Sequence, residues 1–171
     1  SAGTLSQCER QVMDPLFDFT GKVALVTGGS RGLGYQMVKA FAERGADVII
    51  ASRKLDNCEA VAAECRALGR KALAVSAHVG KWPECDRLIE EAYAAFGRVD
   101  ILVNNAGAFS AGPIEDADPD RWDAEMALNL RAPFFLTQGL LPNLRAAVQP
   151  DDPARIINIG SIGALWGKSS N

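Results

Sequence analysis

The sequence predicts an α/β fold in which a parallel sheet is covered by helices on both faces, and three observations support that prediction. Five short runs rich in β-branched and apolar residues alternate with longer amphipathic segments. Glycine closes each of the first three helical segments. No internal repeat or low-complexity tract interrupts the series. Strands and helices that alternate at this spacing form right-handed βαβ units, so we expect one doubly wound domain.

The predicted elements follow one another closely along the chain. Strands are expected at residues 22–27, 47–51, 71–77, 100–103 and 154–159, and helices at residues 33–44, 55–68, 82–96 and 118–147. Asp118 followed by Pro119 is a strong helix start, and Pro133 is expected to disturb the helix that they open. The expected strand order in the sheet is 3-2-1-4-5.

The domain is expected to span residues 19–171, after an N-terminal extension of residues 1–18. The fifth predicted strand is continuously apolar and carries no proline or inward charge. Sheet edges are usually protected, because their open hydrogen-bonding groups invite aggregation. We therefore expect the domain to be incomplete at Asn171, with a further βα unit covering this edge in the full-length protein.

Composition and charge exclude several classes of protein. A net charge of −3 gives no reason to expect nucleic acid or an anionic membrane as a partner. No apolar run approaches the length of a membrane span, and residues 1–19 lack the zones of a signal peptide, so a cytoplasmic protein is expected. Clustered zinc ligands are also lacking, since the chain has one histidine and four scattered cysteines: Cys8, Cys58, Cys65 and Cys85.

A glycine-rich turn lies between the first predicted strand and the first helix, with the sequence TGGSRGLG. A dinucleotide pyrophosphate needs backbone N–H donors at a helix N-terminus and no side chains in its way. Gly28 would permit the tight turn, Gly32 the close approach of the phosphates, and Gly34 the packing of helix on strand. The turn is therefore expected to bind a dinucleotide through Gly28, Ser30, Arg31, Gly32, Leu33 and Gly34.

The end of the second strand indicates which dinucleotide binds. An enzyme that uses NAD places an acidic residue there to bond the ribose hydroxyls. This chain has Ser52 and Arg53 instead, which can donate hydrogen bonds to a 2′-phosphate, and Arg31 could reach the same group. NADP(H) is therefore the expected cofactor.

Three separated motifs give the chain a specific resemblance. TGGSRGLG is followed by the tetrapeptide from Asn104 to Gly107 (NNAG) after the fourth strand, and by Ile159, Gly160 and Ser161 at the end of the fifth. In this order the motifs resemble those of the short-chain dehydrogenase/reductase family from about Phe19 onward. The resemblance implies a Rossmann-type fold and hydride transfer between nicotinamide and a carbonyl or alcohol carbon.

The resemblance also implies roles for individual residues. Asn105, Ala106 and Gly107 would lie beside the adenosine ribose, and Val79 would pack on the adenine. Many family members have aspartate before that valine, whereas this chain has His78, so a hydrogen bond from position 78 to the adenine amino group is in doubt.

Catalytic roles are implied for two residues. Ser161 matches the serine that hydrogen-bonds the substrate oxygen, and Asn129 matches the family's catalytic asparagine. Since Pro133 has no N–H, the Asn129 carbonyl lacks its helical donor and could hold an ordered water, which fits a proton relay. The tyrosine and lysine of the family's YxxxK motif are expected beyond Asn171, so neither Tyr35 nor Tyr93 is given that role.

The function expected from this resemblance is NADPH-dependent reduction of a small-molecule carbonyl, or the reverse oxidation of an alcohol. Residues 121–161 are most similar to 3-oxoacyl-carrier-protein reductases and gluconate 5-dehydrogenase-like enzymes, so a 3-oxoacyl thioester is preferred and a sugar acid is the alternative. A non-catalytic NADP(H)-binding protein, or an inactive truncation, is the rival hypothesis. The resemblance further implies a homotetramer with the helix at residues 118–147 in an interface.

Overall fold

A computed structural model of the protein describes residues 14–110 and 112–164. The strands are β1 Val23–Thr27, β2 Asp47–Ser52, β3 Ala72–Ser76, β4 Ile101–Asn104 and β5 Arg155–Asn158. The helices are α1 Gly32–Glu43, α2 Leu55–Ala67, α3 Trp82–Phe96, α4 Pro119–Met126 and α5 Ala132–Ala146. Neighbouring strands are all parallel, in the order β3-β2-β1-β4-β5, which confirms the predicted doubly wound sheet.

The sheet separates two apolar cores, because successive residues of a strand point to opposite faces. Leu25 and Leu102 face one core, which α3 and α5 cover. Val26 and Val103 face the other core, which α1 and α2 cover. Every residue of β1 is buried, so the central strand is hidden from solvent on both faces.

The order of connections fixes where a ligand can bind. From β1 the chain first builds outward to β2 and β3, and it then returns to place β4 and β5 on the other side of β1. The connections that follow β1 and β4 consequently run to opposite faces of the sheet, and a crevice opens at its carboxyl edge where they part. None of the helices in the described part of the chain is long and apolar enough to cross a membrane.

The helix predicted at residues 118–147 is divided into three segments. Asp118 caps α4 as expected, but the five residues Ala127–Arg131 form a π-helical segment before α5 begins. There the Ala132 N–H donates to the Ala127 carbonyl, five residues back. The predicted disturbance thus lies before Pro133 rather than at it. Because the Pro133 ring would clash with the preceding turn and its nitrogen has no hydrogen to donate, the residues before it cannot keep regular α-helical hydrogen bonds. Pro142 lies inside α5 without ending it.

The strand β5 pairs with β4 alone within the part of the chain that the structure describes. Its residues are mostly exposed, and Ile156 keeps 42% of its surface open to solvent. This exposure is what an uncovered sheet edge would show. A further βα unit over this edge stays a prediction.

The amino edge of the sheet is held together by one buried carboxylate. Asp100 precedes β4 and accepts hydrogen bonds from the Val23 N–H (2.9 Å) and from Arg98 Nε (2.9 Å). Lys22 Nζ lies 3.9 Å from the same carboxylate. The hydrogen bond to Asp100 also raises the pKa of the Arg98 guanidinium. Asp100 thereby ties β1 to β4 at the edge opposite the crevice.

We predict that Asp100→Ala lowers the free energy of unfolding by about 3 kcal/mol, because it leaves a buried N–H and a cation without their partner. Chemical denaturation measures the change. The matched control is Glu91→Ala, which removes an exposed carboxylate paired with Arg87 and should change stability by less than about 0.5 kcal/mol. Equal losses for the two variants would contradict the role given to Asp100.

Candidate nucleotide-binding and catalytic site

A cleft of about 840 Å³ lies at the carboxyl edge of the sheet, between the turns that follow β1, β2, β3 and β4. Its wall contains all twelve residues that the sequence predicted for the cofactor: Gly28, Ser30, Arg31, Gly32, Leu33, Gly34, Ser52, Arg53, Val79, Asn105, Ala106 and Gly107. It also contains residues to which the sequence assigned no contact, among them Lys54, Asn57, Ala108 and Leu128. Sequence-distant residues thus meet in one place, and their role in binding stays a prediction.

Two glycines of the turn, Gly28 and Gly34, occupy positions that a side chain would disrupt. Gly28 has a φ of +66°, a left-handed conformation that favours glycine. A Cβ atom on Gly34 would overlap the Gly28 carbonyl and lie 2.6 Å from Asn105 Nδ2. Gly34 therefore permits the close packing of α1 on the turn, as the sequence predicted from its position.

Gly32 and Gly29 differ in what surrounds them. Gly32 has a φ of +57°, and a Cβ there would meet no atom within 4 Å, so the space beside it opens to the cleft. Gly29, which the sequence did not single out, is packed tightly: a Cβ would lie 3.0 Å from the Val26 carbonyl and 3.1 Å from Ile50 Cγ2. The two adjacent glycines in the sequence, Gly28 and Gly29, were the pattern that could have indicated that position 29 also has no room for a side chain.

The N-terminus of α1 points its free amides into the cleft. The helix begins at Gly32, and Arg31 at the N-cap position makes no side-chain hydrogen bond to the first turn. The first amides of a helix have no partner within the helix, and the helix dipole adds positive potential there. This end of the cleft therefore suits an anionic group such as a pyrophosphate.

Thr27 joins the turns after β1 and β4 and was not predicted as a site residue. Its hydroxyl donates to the Val103 carbonyl (3.3 Å) and accepts from the N–H groups of Asn105 and Ala106, both at 3.1 Å. Asn105 Nδ2 donates in return to the Thr27 carbonyl at 2.9 Å. These bonds hold the walls of the crevice at a fixed separation. Threonine at the end of a buried strand was the signal that could have identified it.

The far end of the cleft, after β2, is basic and hydroxyl-rich. The hydroxyls of Ser52 and Ser30 lie 2.7 Å apart, so the turn after β2 is bonded to the glycine-rich turn. Arg53 is exposed, and its carbonyl accepts a hydrogen bond from Ser76 Oγ at 3.2 Å. Among the described residues that line the cleft there is no aspartate or glutamate. The electrostatics therefore favour a phosphate over ribose hydroxyls at this end.

The buried cysteines near the site are structural. Cys58 Sγ lies in α2 beneath the end of β2, 3.9 Å from the Ser52 carbonyl. Burial raises the pKa of the Cys58 thiol, and burial raises the pKa of Cys85 to about 11. A thiol with a raised pKa is a poor nucleophile at neutral pH, so neither cysteine is a candidate for covalent catalysis.

The two predicted catalytic residues lie outside the cleft wall. Asn129, in the π-helical segment, accepts from the Ala108 N–H at 2.9 Å and donates to the Ala108 carbonyl at 2.7 Å. It thereby fixes the chain just past Gly107, where the cleft ends. Ser161 lies exposed beyond the carboxyl end of β5, and its hydroxyl accepts from the Gly163 N–H at 3.1 Å. Between Asn129 and Ser161 the described structure contains no hydrogen bond.

Comparison with protein-family models identifies the chain. The model described as short chain dehydrogenase matches residues 22–170, almost the whole sequence. The chain belongs to the short chain dehydrogenase family. Its sheet order and glycine-rich turn agree with that assignment, and the resemblance inferred from the sequence motifs is confirmed.

Individual relatives of this short chain dehydrogenase act on several compounds. A rhamnolipids biosynthesis 3-oxoacyl-[acyl-carrier-protein] reductase of Pseudomonas aeruginosa is 37% identical over 90% of the chain and 59% of the relative. D-beta-hydroxybutyrate dehydrogenase of Cupriavidus necator is 38% identical over 85% of the chain and 55% of the relative. The solved Pseudomonas aeruginosa RhlG/NADP active-site complex superposes with a TM-score of 0.86, at 36% identity over 92% of this chain and 61% of that one. The chain therefore spans less than two thirds of the length of these relatives.

The spacing of the family's YxxxK motif occurs once in this dehydrogenase, at Tyr35 and Lys39, which the interpretation of the sequence overlooked. The structure places both residues in α1, away from the cleft wall. The Tyr35 hydroxyl donates to Glu64 Oε2 at 2.7 Å, and this bond raises the pKa of the phenol. A proton donor and acceptor for catalysis needs a lowered pKa instead. Tyr35 is therefore not the catalytic tyrosine.

We predict that Gly34→Ala destabilises the dehydrogenase by about 1–3 kcal/mol and weakens nucleotide binding, although alanine is the better helix former. The added methyl must displace the Gly28 carbonyl or Asn105. Chemical denaturation and nucleotide titration measure the two effects. Gly112→Ala is the matched control, because a Cβ there meets nothing within 4 Å. A Gly34→Ala variant as stable and as nucleotide-binding as this control would contradict the packing argument.

Proposed function

We propose that the protein is an NADP(H)-dependent oxidoreductase that interconverts a carbonyl compound and a secondary alcohol. The observation that supports this proposal is the cleft of this short chain dehydrogenase. The glycine-rich turn lies there at the N-terminus of α1, and the end of the cleft after β2 is basic and contains no acidic residue among those described. The RhlG structure, which has this fold, is a complex with NADP. The residues of the cleft are arranged to hold the same cofactor.

Each part of the cofactor would find complementary groups along the cleft. The amides at the start of α1 would hold the pyrophosphate, which Gly32 leaves free to approach. Ser52, Arg53 and Arg31 would donate to the 2′-phosphate. The turn after β4, which Thr27 fixes, would border the riboses. When bound, the nicotinamide supplies or accepts the hydride.

The residues of this chain would contribute orientation and hydrogen bonding to the reaction. Ser161, whose hydroxyl is exposed, would donate its proton in a hydrogen bond to the substrate oxygen and stabilise the charge that develops there. Asn129 would fix the backbone at Ala108, so that the wall beside the reacting carbon does not move. The proton itself is expected from the tyrosine of the YxxxK motif beyond Asn171.

A 3-oxoacyl thioester is the substrate that we propose. The name of the 3-oxoacyl-[acyl-carrier-protein] reductase supports it directly. The name of the D-beta-hydroxybutyrate dehydrogenase supports the oxygen on the third carbon, although hydroxybutyrate is a free acid. A sugar acid is the alternative substrate to be compared in the same assay.

We also propose that the protein assembles as a homotetramer in the cytoplasm. Apolar side chains follow one face of α4, the π-helical segment and α5 at intervals of four residues, namely Trp122, Met126, Leu130 and Phe134. Three of these four residues are more than half exposed, and Met126 is 38% exposed. An exposed apolar stripe of this length suits an interface between subunits.

We predict that the full-length protein binds NADPH more tightly than NADH and that Arg53→Asp reverses this order. The loss of one charge-assisted bond and the new repulsion should weaken NADPH binding by roughly 10- to 100-fold. Titration of both cofactors measures the two dissociation constants. Lys71→Asp makes the same change of charge at the amino end of β3 and should leave the order unchanged. Equal affinities of the wild type for the two cofactors would contradict the proposed preference.

We predict that Ser161→Ala lowers kcat by about 100- to 1000-fold, since it removes a donor from the substrate oxygen. The affinity for NADPH should stay within about threefold, because Ser161 lies outside the cleft wall. Oxidation of NADPH by a 3-oxoacyl thioester and by a keto sugar acid measures activity in the full-length protein. NADPH binding without oxidation by any carbonyl compound would favour the non-catalytic alternative.

A further inference from the structure

The π-helical segment is bonded to two turns that are not neighbours at the carboxyl edge of the sheet. The Asn129 side chain bonds to both backbone groups of Ala108, in the turn after β4. At the other end of the segment, Arg131 Nη2 donates to the Gly80 carbonyl at 2.9 Å, in the turn after β3. Because β2 and β1 lie between β3 and β4, the segment reaches across two strands. Leu128 of the same segment lines the cleft, so the segment borders the cofactor site.

Pro133 disturbs the helix but does not set the direction in which the residues before it turn. A missing N–H removes one bond from the α-helical ladder, and a chain loosened in this way has more than one way to bulge. Hydrogen bonds that run five residues back are rare, and they persist where the surroundings favour them. Residues two apart along a helix point to different sides, so Asn129 and Arg131 restrain the segment from two directions. These two side chains therefore favour the π-helical arrangement over its alternatives.

The turn after β3 is the fixed end of this connection. The His78 N–H donates to Glu84 Oε2 at 2.6 Å, and the buried Cys85 thiol donates to the Val79 carbonyl at 3.0 Å. Two residues of α3 thus hold the backbone immediately before Gly80. A carbonyl in a turn that is held in this way is a firm anchor for the guanidinium. The bond therefore restrains the π-helical segment rather than the turn.

The chain past Gly107 takes its position from Asn129. Ala108 is exposed and lines the cleft, and Phe109, the next residue, is 87% exposed. In the described structure the N–H and the carbonyl of Ala108 both bond to the Asn129 amide. A Cβ on Gly107 would lie 3.3 Å from Asn129 Oδ1, so the two segments approach closely there. A shift of Asn129 would therefore move this part of the cleft wall with it.

We propose that Arg131 is a positioning residue for hydride transfer, because its bond to the Gly80 carbonyl keeps Asn129 in place against Ala108. This inference rests on the proposed function, since it assumes that the reacting carbon lies beside Ala108. Arg131 lies outside the cleft wall and so acts on the reaction only through the π-helical segment. A small displacement of one reacting partner strongly lowers the rate of the chemical step. Cofactor affinity depends on other contacts, along the glycine-rich turn and after β2.

The first experiment separates the rate of the chemical step from binding in the full-length protein. For Arg131→Ala we expect kcat for the oxidation of NADPH by acetoacetyl-CoA to fall about tenfold. The dissociation constant of NADPH should stay within about threefold of the wild-type value. Arg131→Lys keeps a donor for the Gly80 carbonyl and should restore kcat to within about threefold. Arg145→Ala is the matched control, because it removes an exposed arginine from the last turn of α5.

A second measurement follows Ala108 directly and needs no substrate. The Ala108 N–H donates to Asn129 Oδ1, so its hydrogen exchange, measured by NMR of the full-length protein, reports whether that contact persists. We expect Arg131→Ala to speed this exchange about tenfold, as Asn129→Ala does. Exchange of the Ala106 N–H, which is bonded to Thr27, should be unchanged in both variants.

The two measurements distinguish failure of this inference from failure of the proposed function. An unchanged kcat or an unchanged Ala108 exchange rate in Arg131→Ala would overturn the inference. A loss of NADPH affinity as large as the loss of kcat would overturn it too, because the whole cleft would then be disturbed. Faster Ala108 exchange in a protein that oxidises NADPH with no carbonyl compound would overturn the proposed function and the role of Arg131 in hydride transfer, and would leave only the structural link.

Discussion

The contact between the turn after β1 and the turn after β4 is the constraint on which the site depends. Thr27 and Asn105 exchange side-chain and backbone hydrogen bonds across it, and Gly34 lets α1 approach until no room for a Cβ remains. Because both turns grow from fully buried strands, neither can shift without disturbing the sheet. The cleft therefore has its shape before any ligand arrives, which reduces the ordering that binding must impose.

The amino edge of the sheet contributes to stability, whereas the carboxyl edge is available for a ligand. At the amino edge, Asp100 satisfies backbone and cationic partners of β1 and β4, and it contributes to stability without bordering the cleft. At the carboxyl edge, donors such as the first amides of α1 are left without partners in the chain. Groups that folding leaves unsatisfied at this edge are those that a ligand can satisfy.

Much of the fold could be predicted because it follows from local patterns. The buried strands are continuous apolar runs, and the strand order follows from the βαβ series. The residues of the cleft wall could be predicted because glycine and basic residues stand at strand ends, where parallel sheets gather ligands. The position of the π-helical segment was not predicted. A proline indicates that a helix is disturbed, but it does not show whether the residues before it or those after it leave the α-helical conformation.

The residues that were missed depend on contacts across the fold. Thr27 matters through bonds to residues more than seventy positions away, which no local pattern encodes. Gly29 is required by atoms of Val26 and Ile50 that only the folded sheet brings to it. Tyr35 and Lys39 have the spacing of a catalytic motif, but they lie on a helix away from the cleft. Spacing identifies a motif only at its proper place in the fold.

The turn after β2 has a consequence for how such proteins diversify. Ser52 is half-buried and Arg53 exposed, and they follow a strand whose inner residues are all buried. Substitutions at exposed positions such as Arg53 typically change stability by less than about 0.5 kcal/mol. The cofactor preference that we propose for Arg53 could therefore be altered by mutation at little cost to folding. Under this proposal, cofactor preference can change at the surface of the scaffold while the buried sheet stays intact.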